Sequence, residues 1–414
     1  MREVGGQSPP YARIKGFRTG ETPVIREVVM AFTGKATYTA GSTLPEMADD
    51  VADLVAIASP FETPLLDALG DPARPARSTI HEWLEDTLLP NTDTINDSTY
   101  TNAVTDTDFV VSNVGRFRVG DQIQVEASAE IMLVTAINTG TSTLTVVRGY
   151  GGSTAAALAN GKVIHILGNA ALEGDAADTA RFTARTRKTN YTQIFASTVE
   201  VSGSELAVRQ LAVADELDYQ KQQRLRELLR DLENCVINGR SPAATPEGSS
   251  SVRRTMKGIV AFLASNKFVP GAGGFPSDSS LTEDQLNLAL RNIWKNGNGQ
   301  VDLVVVNGQE KRAINAFIGT NRRYTAADVK LTNLVSSYES DYGVCRVVLS
   351  RWVPTGTVLL LDSSRVDVMP LSGRSFQYKP LGATGDKDSG QVIGEYTLEL
   401  RNENAHGMIS GLTA

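Results

Sequence analysis

"RTRKTNYTQIFASTVEVSGSELAV", residues 185–208, decides the fold, because two structural periods meet inside it. Its first part is rich in Thr, Val, Ile and Phe and reads as an extended arm and strand returning to the body of the chain. At Ser202 the pattern changes. Ser202 and Glu205 have capping-box spacing, with Ser204 as a competing cap, so a helix begins there. Leu225, Leu228, Leu229, Leu232 and Val236 form an apolar stripe at helical period. The stripe turns polar at "YQKQQR", 219–224, and "NGRSP" stops the helix with a glycine and a proline. The pattern predicts one helix over 204–238, roughly 50 Å long at 1.5 Å per residue, a rod crossing a whole domain.

Upstream of this stretch lies a different texture. From Phe109 to Gly168 short β-branched runs ("DFVVSN", "DQIQV", "EIMLVTAIN", "STLTVVRG", "KVIHILG") alternate with turn chemistry ("VGD", "NTGTS", "GYGG"). That is a small all-β module. The Thr/Asn/Asp-rich residues 90–108 before it read as a loop, and "STIHEWLEDTLL" before that as a strand. Residues 1 to about 45 lack any period and read as an arm, followed by a short helix carrying Met47, Val51, Leu54 and Val55 on one face. Met30 is a candidate true start, and the first thirty residues hold no secretion signal, which implies a cytosolic protein.

Downstream the pattern alternates. "MKGIVAFLASN", "TEDQLNLALRNIWKNG" and "GQEKRAINAFIG" read as helices. "VDLVVVN", "YGVCRVVLSRWVP", "GTVLLLD" and "RVDVMPL" read as strands, giving an α/β region to about residue 370 and two more strands in the tail.

With 414 residues, the chain suits two or three domains. Its net charge of -7 argues against nonspecific grip on DNA or anionic membrane as the main task. No apolar run approaches bilayer length. Cys235 and Cys345 stand in no metal or redox spacing and read as small buried apolar residues.

The glycine-rich "LTVVRGYGGSTAAALANGK", 144–162, fails as a phosphate loop. Ala156 stands where the first P-loop glycine belongs, Val163 replaces Ser or Thr, and Thr154 breaks the dinucleotide spacing. A turn between two strands fits it. Of the three histidines, His81 adjoins Glu82 but points the opposite way in a strand, and His165 reads as a packed strand residue. With His406, they belong to no catalytic motif. Asp106/Asp108 and Asp386/Asp388 are weak oxygen pairs for a cation. The sequence therefore assigns no catalytic, cofactor or metal residue.

The order of elements resembles the major capsid protein fold of tailed bacteriophages and herpesviruses. Residues 185–208 followed by "ELDYQKQQRLRELLRDLENCVINGR", 216–240, are similar to the head proteins of the phage SU10 type. Asn190, Tyr191, Gln193, Ile194 and Phe195 lead into the helix; Arg230, Asp231 and Glu233 lie near its end. That group carries a comparable β-module in its extended loop.

The resemblance implies an α+β fold: an N-terminal arm (1–78), an extended loop (79–200) holding a barrel-like insert (109–168), a peripheral domain (201–251 and 371–414) with a spine helix, and an axial domain (252–370). It implies a non-enzymatic shell subunit in the virion capsid, assembling as hexamers and pentamers. Decoration and scaffolding proteins are implied partners, and packaged DNA a nonspecific one, with no membrane and no cofactor. A tail or baseplate binding protein is the alternative, and a hydrolase built on 252–370 a third that lacks a nucleophile motif.

Overall fold

A computed structural model describes residues 62–98, 104–174, 180–207, 215–297, 299–321, 337–382 and 385–413. Residues 1–61 of the expected arm (1–78), with the helix expected around Met47 to Val55, lie outside them. Helix α1 (Pro64–Leu69) opens with proline at its first turn and stops at Gly70, whose φ of 74° is left-handed. Strand β1 (Ile80–Glu85) follows. The chain then leaves for a six-stranded sheet: β2 (Thr92–Thr94), β3 (Asp108–Val110), β4 (Asp121–Val125), β5 (Ile131–Asn138), β6 (Thr143–Val147) and β7 (Val163–Asn169). It returns as β8 (Thr186–Tyr191), which pairs antiparallel with β1 to make a two-stranded ribbon.

The spatial order of the six strands is β2-β7-β4-β5-β6-β3. An antiparallel bridge from Ile95 to Val111 then links the first and last strands again. Inside sit Ile95, Phe109, Ile123, Met132, Leu144 and Ile164, all within 1 % of fully buried. This core is separate from those of the body.

Residues 92–94, read from sequence as loop, are thus a strand of the module. "TDTI" was obscured by its aspartate. Asp93 is nearly fully buried, and it is matched there by Arg116 at 3.1 Å and by the Asn113 N–H at 2.8 Å.

After the ribbon, β9 (Gln193–Ser202) pairs along its whole length with β17 (Lys387–Leu400). β15 (Val366–Pro370) and β16 (Gln377–Pro380) complete that four-stranded sheet. A second body sheet is mixed, in the order β10 (Lys267–Phe268), β18 (Gly407–Ser410), β14 (Thr357–Leu361), β11 (Leu303–Val306), β13 (Gly343–Leu349), β12 (Ser337–Ser340). β15 belongs with β17 although it precedes residue 370, and β18 joins the mixed sheet although it lies in the tail.

The expected rod is not one helix. α2 (Gly203–Ala207) is short, with the Ser202 hydroxyl accepting from the Glu205 N–H at 3.2 Å. A new helix, α3 (Glu216–Asn238), starts at Asp215, whose backbone is extended (φ -142°) and whose carboxylate accepts from the Asp218 N–H at 3.1 Å. With 23 residues, α3 is about 35 Å long. Similarly, "MKGIVAFLASN" gives only one turn, α4 (Ile259–Phe262). Its N-cap Gly258 is extended (φ -89°, ψ 173°) and lies tight against the end of α3: a Cβ there would lie 2.6 Å from the Gly239 nitrogen.

α5 (Glu283–Asn296) has a complete capping box of Thr282 and Gln285, and α6 (Gly308–Asn321) follows β11. Alternate residues of β11 and β14 enter two cores. Leu303, Val305, Leu359 and Leu361 meet Leu228, Leu232 and Val236 of α3. Val304, Val306, Val358 and Leu360 meet Leu286, Leu290 and Ile293 of α5 and Ile314 of α6. Helices on both faces explain why "LVVV" and "TVLLL" are unbroken apolar runs.

Candidate functional site

The chemistry of this chain is concentrated where the ribbon leaves the body, at "NYTQ", 190–193. Asn190, completely buried, donates to the carbonyls of Leu398 (2.7 Å) and Lys257 (3.0 Å) and accepts from the Lys257 N–H (2.9 Å). It therefore ties β8, β17 and the segment before α4 together. Thr192, also completely buried, donates to Glu395 at 2.5 Å. Glu395 is further held by Arg254 (2.6 Å) and Arg374 (2.7 Å), a buried carboxylate with its charge matched. Gln193 accepts from the Met256 N–H and donates to Cys235 Sγ. Asn190 and Gln193 are among the residues that carry the resemblance, and their work here is to fix a junction.

The inner face of β1 completes it. His81 Nε2 lies 2.5 Å from Glu399 Oε2 on β17, with Arg74 at 3.2 Å and Arg401 at 3.5 Å from the same carboxylate. Burial by itself would push the Glu399 carboxyl up. The His81 hydrogen bond and the charges of His81, Arg74 and Arg401 outweigh it and hold the carboxyl below the ordinary range. Trp83, also on the inner face, is buried and donates to Glu85 at 3.0 Å, while Glu82 faces outward as strand alternation requires.

Near the C-terminal end of α3, two residues from Cys235, Glu233 is completely buried and accepts from the N–H groups of Leu65 and Leu66 and from the Ser350 hydroxyl. Burial raises its pKa despite those bonds. Its role is to clamp α1 onto the body. Arg230 and Asp231 pair on the exposed side.

In the module, "RGYGG" is organised by one ion pair. Arg148 Nε donates to Glu130 Oε1 at 2.8 Å, with both side chains buried. Glu130 also accepts from the Gly149 and Ala156 N–H groups. Burial would raise its pKa, but the Arg148 and backbone hydrogen bonds prevail and lower it. Gly149 has φ 62°, and a Cβ there would sit 2.8 Å from the Ser153 carbonyl, so glycine is required. The loop wraps a buried carboxylate from within and forms a strand-to-strand turn.

His165 lies half-buried in β7 between Thr92 and Gln124. His406 is buried, accepting from the Asp362 N–H and donating to the Arg401 carbonyl; burial pushes its pKa down to about 4. Cys345 is buried, with its thiol pushed up to about 11, and Cys235 is half-buried. Among the described residues no group of three or more His, Cys, Asp or Glu is placed to hold a metal, and no helix is long and apolar enough to cross a membrane. His81 and Glu399 come together from positions far apart in sequence, which spacing rules cannot register.

A family model described as SU10 major capsid protein matches residues 31–413. No curated relative matches the chain. Among solved structures, the Cyanophage A-1(L) capsid asymmetric unit is similar at a TM-score of 0.51 and 14% identity, covering 89% of this chain and 98% of that one. Gordonia phage Cozz (TM-score 0.47, 11% identity, 89% and 92% covered) and Mycobacterium phage Bobi (0.46, 13%, 88% and 95%) also match. The cyanophage likeness shows a phage capsid fold. The chain belongs to the SU10 major capsid protein family: it is a structural protein of a phage head shell, homo-oligomeric, with its place in the virion capsid. Membership of that family sets aside the tail-binding alternative and implies a non-enzymatic role, against the hydrolase alternative.

Proposed function

We propose that the ribbon of β1 and β8, with the module it carries, is the extended loop of the shell subunit and lies across a neighbouring copy. The observation that carries this is the junction. Asn190, Thr192 and His81 anchor the ribbon's base by buried polar contacts, while its outward face and far end expose Leu84 and Leu88. A rigid base with an apolar unfilled tip suits a contact completed by another subunit.

The sheet of β9 and β15–β17 with α3 then acts as the peripheral domain. The mixed sheet with α5 and α6 acts as the axial domain gathered at five-fold and six-fold centres. The chain before α1 acts as an arm on neighbouring subunits. The subunit works without catalytic chemistry, cofactor or membrane.

The module faces outward, where it meets other modules or a decoration protein, and a scaffolding protein guides assembly from within. The net charge of -7 lets packaged DNA lie against the shell without sticking. Comparing reconstructed shells of the full chain and of a chain lacking 91–169 tests the placement. Density lost from the outer surface is expected; density lost from the inner surface or from the capsomer centre contradicts it.

A further inference from the structure

Where the ribbon base meets the body, three cations converge from three segments: Lys188 of β8, Arg240 just after α3 and Lys257 just before α4. Lys188 lies directly opposite Trp83 across the ribbon. The Trp83 ring packs on Phe262 of α4 with centroids 6.0 Å apart, and the Lys257 ammonium stands 4.4 Å from the centroid of that same Phe262 ring. Arg240 is brought alongside by two bonds. Gly258 donates to the Gly239 carbonyl at 2.9 Å, and the Thr255 hydroxyl donates to the Arg240 carbonyl at 2.8 Å. Lys188 and Arg240 are exposed, and Lys257 is half-buried.

None of the three has an ion pair among the described residues, whereas the neighbouring cations of the junction do: Arg254 pairs with Glu395, and Arg74 with Glu399. Two carboxylates lie nearby, and both are already engaged. Glu403 accepts from the Ala264 N–H (2.6 Å), the Ser265 N–H (2.8 Å) and the Ser265 hydroxyl (2.7 Å). Glu85, on the same face of β1 as Trp83, accepts from the Trp83 indole (3.0 Å) and the Asn402 N–H (2.7 Å). Burial first, then the charge of Lys188 and last that of Arg240 hold the Lys257 amine below its ordinary range, and Glu403 opposes them without prevailing. Like charges gathered in this way repel, and an anion seated among them removes that cost.

We infer that Lys188, Arg240 and Lys257 together bind a phosphate group, with one oxygen facing each cation. The number of donors selects phosphate. Three charged heads from separate segments need an acceptor with three outward oxygens, whereas a carboxylate has two, and one guanidinium fork occupies both. The same chemistry belongs to free phosphate and to the backbone of a nucleic acid. In either case the cluster is a local exception to the net charge of -7. The site lies within one chain and needs no neighbouring copy to complete it.

The experiment titrates the full chain with inorganic phosphate and reads binding by calorimetry and by melting temperature. Lys188→Gln, Arg240→Gln and Lys257→Gln should each weaken binding roughly tenfold or more, the loss of one charge-assisted hydrogen bond. Lys162→Gln, which removes an exposed cation of the module, should leave it unchanged. Phosphate also stabilises proteins generally by exclusion from their surface, so the thermal reading is the difference between parent and variant. Lys188 and Arg240, both exposed, carry the test should Lys257→Gln fail to fold.

No measurable binding, or binding that survives the three substitutions, overturns the inference. So does acetate binding as tight as that of phosphate, which assigns the cations to a carboxylate instead. A short DNA duplex then separates the two sources. Duplex that competes with free phosphate and is weakened by the same three substitutions identifies the nucleic-acid backbone. Phosphate binding untouched by duplex identifies the free anion.

Discussion

His81 on the ribbon and Glu399 on β17 are joined nitrogen to oxygen at 2.5 Å, and the carboxylate is completely buried. The relationship ties both strands of the ribbon's base to β17, because Asn190, directly opposite His81 in the ribbon, is itself bonded to Leu398. His81→Ala should cost about 1.5–3 kcal/mol, the range for a hydrogen bond to a charged group. Urea unfolding reads the loss, and hydrogen exchange should place it at the ribbon base.

Glu233 offers a sharper contrast. Glu233→Leu leaves the N–H groups of Leu65 and Leu66 and the Ser350 hydroxyl without their acceptor, and should cost roughly 2–3 kcal/mol. Glu233→Gln retains an acceptor and removes a buried charge whose pKa is already raised, so it should be near neutral at pH 7. Thermal melts of the two variants check the ordering.

Acid should act through His406 before it reaches the carboxylates. Its pKa is lowered to about 4 in the fold, so between the ordinary histidine value near 6.5 and pH 4 the unfolded chain binds the extra proton. Stability therefore falls as pH falls through that window. Glu130, Glu399 and Glu403, all lowered, hold their contribution above the ordinary carboxylate value of about 4.3 and lose it further down. Glu233, raised, opposes them. His406→Gln, measured by melting temperature from pH 7 to 4, should flatten the upper part of the profile.

The module should be separable only at its true edges. Excising 91–169 removes β2 together with its partner β7 and should leave the ribbon folded. Excising 110–167 strands β2 and Ile95 without a core and should yield aggregate. Within the intact module, Arg148→Ala exposes a buried unpaired carboxylate at a cost of about 3–5 kcal/mol, and the Gly149 and Ala156 amides should lose exchange protection.

Much of this architecture is legible in the sequence. The apolar runs of β11 and β14, the capping box of α5 and the alternation of the module's strands carry local signals, and the structure places each accordingly. The misread elements share a cause. At Thr92–Thr94, and at the Asp215 cap inside an otherwise helical pattern, a short polar residue determines the structure through a specific partner rather than through period. "ADELD" did contain the capping signal, overridden by the apolar stripe that follows. The junction was not legible at all. Glu395, Glu399 and Asn190 are brought together by strand pairing over some two hundred residues, and no spacing in the chain records that.

The central claim is that this chain builds a closed shell from copies of itself. Expression of the full chain, followed by sedimentation and electron microscopy, tests it most directly. The account predicts closed particles, or tubes of the same lattice, with hexameric and pentameric clusters. A stable small oligomer or monomer, under conditions where His81 and Glu399 remain paired and the chain is folded, would contradict it.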